Sequence, residues 1–341
     1  MQRTNTINKP NDPCVPNPPN DTVQSLKWAP SQQGLLCAGS WNGSTSIWEV
    51  NSTGQSIAKL QVTQSEPILS VSWKSDCTSV FIGGADNQAK IWDINTNQVR
   101  IIGTHQAPVR EVLWCENINH LITGSWDGSV SFWDLRSPNP TANVQLGSRV
   151  FGMSLKYPLM VAILSDKKHA VWGLQFLQSG NTKPDIVPET NVKVQFKCVE
   201  CYSDASGFAI GLIEGRCAMK KVNPSTFRTE NDFTFKCHRD NASQSAYSVN
   251  CISFNQAHGT FATGGSDSSV IFWDRFAKQC LKTFTGLDGP VTAIDFKQDG
   301  SLFAYATGYD WAKGADYASS VPTKISYRMA FDDSKPKSQY K

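Results

Sequence analysis

One short pattern, repeated, constrains this chain more than any other feature. GSWDGSVSFWD, residues 124–134, reads as the end of a strand, a tight turn at Asp127-Gly128, and a second alternating strand that closes on Trp133-Asp134. GSWNGSTSIWE (39–49), GGADNQAKIWD (83–93) and GGSDSSVIFWD (264–274) are variants of it. One copy would be a weak hairpin signal. An array closing on Trp-Asp is the mark of a β-propeller. At about 40 to 45 residues per blade, seven blades need about 300 residues, and the chain has 341.

The expected fold is all-β, a seven-bladed WD-repeat propeller over residues 21–330, with an N-terminal extension at 1–20 and a flexible tail at 331–341. Trp28, Trp73 and Trp114 end the first strands of blades 1 to 3, and Trp48, Trp92 and Trp133 lie in their third strands. A tryptophan buries about 150–250 Å², so these six belong to packing between blades. Blade 4 is degenerate, with Trp172 as its remnant and an outer strand expected at 185–187. In blade 5 Lys220 stands where blade 3 has Trp133. Blade 7 carries an insertion, WAKGADYASSVP, between its second and third strands, and no good outer strand follows it. An open ring exposes two sheet edges, so residues 12–16 are expected to pair onto blade 7, with Cys14-Val15 the only strand-like dipeptide of the extension.

The net charge of +3 implies no global attraction to polyanions. Ten cysteines fall mostly in apolar runs and read as reduced, buried thiols of a nuclear or cytosolic protein. The start of the chain has no apolar leader, and LMVAIL (159–164) is too short to span a bilayer, so no membrane insertion is expected. The five histidines are scattered, without a metal-site spacing. Cys198-x-x-Cys201 has zinc-like spacing, but strand alternation points its thiols to opposite faces and no second pair accompanies it. Phosphate-cradling and nucleophile-elbow motifs are absent. Neither catalysis nor a metal or cofactor is expected.

Recognition remains. In a propeller the turn between second and third strands and the loop into the next blade share one face. That face should collect Trp41, Trp126 and Trp311 with Glu214, Arg216, Lys236, His238 and Arg239. Residues 191–239 hold eight Lys or Arg against five Asp or Glu, an excess of three that equals the charge of the whole chain. Arg216 and Arg239 could fork a carboxylate, or Arg216 could pair internally with Glu214. Trp41 and Trp126 sit at turn positions where small or polar residues are usual. They either form a docking surface or cap a neighbouring blade.

IEGRCA, FTFKCHR, HGTFATGGSD, LFAYATGYDWAKG and GSWDGSVSFWDLRSPNP together resemble the mRNA export factors of the nuclear pore, over nearly the whole chain from Asp21 to Arg328. The Bub-family checkpoint propellers share the EGR and FKCHR strings, whereas GYDWAKG and the two turn tryptophans are similar to the export factors. The resemblance implies a non-enzymatic adaptor, one propeller in a hetero-complex at the nuclear envelope that shuttles to the cytoplasm. Its implied partner is an FG nucleoporin, bound through the acidic GLEBS motif, whose glutamates would meet Arg216, Lys236 and Arg239. It also implies a side surface for RNA or mRNP at Phe235, Trp273, Arg275 and Lys278, where Phe276 and Cys280 depart from the usual basic run. A mitotic-checkpoint adaptor of the Bub-family type, reading phosphorylated kinetochore repeats with the same arginines, and a primary RNA-binding protein are the alternative readings; checkpoint proteins with GLEBS-like segments are further implied partners.

Overall fold

Twenty-eight short strands close into a ring in the computed structural model, which describes residues 6–31, 33–51, 53–179, 182–188, 194–240 and 242–337. Blade 1 stacks Val23–Trp28, Leu35–Ser40, Ser44–Val50 and Ser56–Thr63 from the axis outward, and blades 2 to 6 repeat that antiparallel order. Blade 4 has Asp185–Pro188 as its outer strand. Blade 7 has three strands of its own, Val291–Phe296, Leu302–Thr307 and Lys324–Met329.

Alternation explains why the blades stack. Each inner strand points one set of residues at the axis and the other into an apolar layer between blades. The described residues form seven apolar clusters, one for each blade–blade interface. Trp28 and Trp48 fill the interface of blades 7 and 1, Trp73 and Trp92 that of blades 1 and 2, and Trp114 and Trp133 that of blades 2 and 3. All six are buried. Gly103, in the outer strand of blade 2, makes room for one of them. A Cβ there would lie 2.1 Å from the Trp133 ring.

Polar groups also link neighbouring inner strands. The Ser72 hydroxyl accepts from Trp114 N at 3.2 Å, Ser154 from Cys201 N at 2.9 Å, and Ser253 from Phe296 N at 3.2 Å. Asp295 of blade 7 does the same across the seam, taking Trp28 N at 2.8 Å, and its other oxygen lies 3.7 Å from Lys27.

Outside, Val15 N donates to Ile325 O and Tyr327 N to Pro13 O, both at 3.0 Å, and Cys14 bridges Ser326. Residues 13–15 thus occupy the outer edge of blade 7. Cys14-Val15 is not the only strand of the extension, however. Thr6–Asn8 runs parallel to Gln279–Thr285 as a fifth strand of blade 6, with Ile7 packed against the apolar layer of blades 6 and 7. The tail, expected to be unstructured, is docked as far as Lys337. Ser334 is fully buried and is held by Asn255 at 2.8 Å and Thr260 at 2.7 Å. Polarity misled the reading, because those polar groups satisfy one another inside the fold. Arg328 ties both ends down, facing Asp12 at 3.5 Å and Asp333 at 3.4 Å.

The axis encloses a channel of about 380 Å³ that brings together Lys27, Glu111 and Glu200. Burial, partly offset by Lys27, pushes the Glu200 carboxyl up to about 7, and burial also raises Glu111 and Asp295. A carboxyl raised on folding binds its proton more tightly in the native state. Its contribution therefore favours the fold in acid and is lost as pH rises from about 4.5 to about 7. Glu200→Gln is expected to gain about 1–3 kcal/mol over the parent at pH 8 and little at pH 4.5, read from urea midpoints. An equal shift at both pH values would refute this.

Candidate functional site

The turns between second and third strands, and the loops between blades, together build one face of the disc. At its centre lies a bowl of about 460 Å³ over the mouth of the channel. Three tryptophans from three blades stand around it: Trp41 of blade 1, Trp126 of blade 3 and Trp311 of blade 7. Phe151, Ile213 and Tyr309 complete the apolar wall, and Arg110 and Lys197 line the neck below. Trp41 is 36% and Trp311 51% exposed, so neither is spent on packing. Trp41 is braced by its Nε1, which donates to Gln24 at 3.1 Å. The Trp126 Nε1–H is buried and has no acceptor among the described residues. A buried, unpaired donor costs about 1–3 kcal/mol.

The two neck cations differ. Arg110 is held by Glu111 at 2.8 Å. Lys197 is exposed to the channel and makes no ion pair among the described residues. Arg110 and Lys197 lie on inner strands next to the irregular pairing that follows the first residue in blades 3 and 5. There a bulge re-aims side chains toward the mouth.

A second cationic corner lies outward of the bowl, on blade 5. Arg216 and Lys236 are directly paired residues of adjacent strands. Arg239 hooks over the turn before them, donating to Gly215 O at 3.1 Å and to Glu214 O at 2.6 Å. Gly215 is at φ 60°, the left-handed conformation that the turn needs. Arg216 makes no ion pair with Glu214 among the described residues, and the Glu214 side chain is exposed. The ring thus brings Arg216, Lys236 and Arg239 to one corner, with part of the Arg239 fork already used by carbonyls.

Among known proteins, the WD domain, G-beta repeat family matches residues 54–93, 96–134, 230–274 and 278–311. An mRNA export factor of Danio rerio is 38% identical over 352 residues, covering 98% of this chain and 94% of the relative. The poly(A)+ RNA export protein of Schizosaccharomyces pombe is 37% identical, covering 95% of this chain and 92% of the relative. Protein RAE1 of Arabidopsis thaliana is 42% identical over 312 residues, with 90% of this chain and 87% of the relative covered. The chain belongs to the mRNA export factor family.

For an mRNA export factor of this sequence, two expected site residues need correction. His238 does not face a ligand. It is buried, its Nδ1 lies 2.8 Å from Asp267 and 3.0 Å from Ser269, and its Nε2 is 2.8 Å from Thr263. Thr263 also accepts from Trp273 Nε1 at 2.9 Å, so the chain His238–Thr263–Trp273 braces blade 6 from within. His105, Asp127, Ser129, Thr123 and Trp133 repeat the arrangement in blade 3. Burial works against ionised Asp267, but the hydrogen bond and charge of His238, with Ser269, hold it below the usual carboxylate range. Arg275 is likewise committed. It is 7% exposed, pairs with Asp204 at 2.7 Å, and lies between the Tyr202 and Phe276 rings at 4.2 and 4.3 Å.

Phe235, Trp273 and Lys278 lie near one another on the flank of blades 5 and 6. Phe235 packs on Trp273 at 4.7 Å, and Lys278 lies 4.3 Å over Phe233. Phe233 was missed from sequence, although FTF alternation places it on the same face as Phe235.

Proposed function

We propose that this protein is a non-enzymatic adaptor of mRNA export at the nuclear pore, and that its upper face binds the acidic GLEBS segment of an FG nucleoporin. The single observation that carries the reading is the bowl, with tryptophans from three blades above a neck whose Lys197 makes no ion pair among the described residues. Such a bowl suits a bulky apolar side chain flanked by glutamates, and the names of its relatives supply the process. The GLEBS segment loses chain entropy on binding. A preformed aromatic wall and a few charge-assisted anchors offset that loss. The corner at Arg216, Lys236 and Arg239 offers further anchors along the same face. The Phe233, Phe235, Trp273 and Lys278 side surface supports a second contact with RNA bases, because stacking on aromatics needs no particular sequence.

Calorimetric titration with a GLEBS peptide tests the reading. Trp41→Ala and Trp126→Ala are each expected to weaken binding about tenfold or more, with the urea midpoint little changed for Trp41→Ala, whose ring is exposed. Peptide binding indifferent to both substitutions would remove the bowl as the site.

A further inference from the structure

Trp311, whose ring rests at 5.6 Å on Tyr309, combines two unusual features. Its indole is 51% exposed, and its backbone sits at φ 62°. That conformation is uncommon for bulky residues and persists only where neighbours over-determine it. Here they do. Tyr309 is buried, accepts from Lys313 N at 3.2 Å and donates to Gly314 O at 2.5 Å, closing the turn around its own hydroxyl. Asp310 accepts from Ala312 N at 3.2 Å with one oxygen. Its other oxygen takes the Ser266 hydroxyl and Asn250 Nδ2, both on blade 6. Thr22 of the blade 1 entry holds Tyr309 O at 2.8 Å. A loop of blade 7 is thus pinned to blades 6 and 1, and its polar groups are used to hold an apolar ring in the open.

We propose that the 309–314 turn is a preset jaw. Asp310 and Tyr309 are positioning residues that keep Trp311 upright, so that it closes against a bulky apolar side chain held across the bowl from Trp41 and Trp126. The inference rests on the upper-face reading above, and adds which side-chain class the bowl grips and what sets the grip. Presetting removes the entropy of ordering the loop from the cost of binding.

The test uses the full chain, the GLEBS peptide, and the variants Asp310→Ala, Trp311→Ala and their combination. Each single variant is expected to lose about tenfold in affinity, and the pair no more than Trp311→Ala alone, because Asp310 acts through the ring. Multiplying losses would overturn the positioning role. A second readout needs no ligand. In Asp310→Ala, amide exchange across residues 309–314 should accelerate while blade 6 keeps its protection. Unchanged exchange would overturn the proposal. If the parent protein fails to bind the peptide, the nucleoporin reading falls, and the exchange measurement still decides whether Asp310 holds the loop.

Discussion

His238→Ala is expected to cost about 2–5 kcal/mol of stability and to leave the affinity of the surviving folded protein for a GLEBS peptide unchanged. The loss has two parts. Three hydrogen-bonding contacts, to Asp267, Ser269 and Thr263, disappear. Asp267 also keeps its negative charge in a partly buried place without its partner, which is the more expensive part. His105→Ala in blade 3 removes the same set of contacts, to Asp127, Ser129 and Thr123, and should cost as much. Urea unfolding read by tryptophan fluorescence, with titrations at low temperature, measures both quantities. A His238 variant that unfolds like the parent but loses the peptide would return this residue to the binding face.

Charge reversal at Lys197 should have the largest effect on binding, at least about 30-fold, the equivalent of about 2 kcal/mol. The choice among five cations on one face follows from what each already does. Arg110 is neutralised by Glu111, and Arg239 spends donors on the carbonyls of Glu214 and Gly215. Arg216 and Lys236 are directly paired on adjacent strands, and Lys236 is exposed, where an ion pair is worth little. Lys197 lines the channel neck below an aromatic wall and makes no ion pair among the described residues, so its ammonium is open to a carboxylate. Titrating Lys197→Glu beside Arg216→Glu ranks the two anchors. A larger loss from the outer corner would invert the ranking and place the glutamates on blade 5.

Much of the ring was legible because its signals are local. Trp-Asp endings, Gly-rich turns and period-two runs each reside within a dozen residues, and seven such units leave one way to bury both faces of every blade. The bowl was legible only in part. Trp41, Trp126 and Trp311 stand out as turn residues of unusual size. Arg110, Lys197 and Phe151 look like ordinary members of inner strands, and only closing the ring aims them at one mouth. The error at His238 had a remedy in the sequence. GTH before GSWD in blade 3 and KCH before GGSD in blade 6 follow the same order, a histidine leading into the blade and an aspartate at its turn. Reading FKCHR as one cationic run hid that pattern. Thr6–Asn8 gave no such cue, since three residues with one apolar side chain carry almost no strand signal.

The bond between Cys14 and Ser326 joins residues 312 positions apart, so blade 7 is completed by a segment that precedes all seven blades in the chain. On a ribosome, that segment emerges long before its partner, and each intervening blade must wait with an open edge. Closure is then a post-translational event with a large loop to shut and a slow, non-local pairing to make. A nascent chain of this protein should therefore remain a client of chaperones until its last strand is free, however well its first six blades have formed.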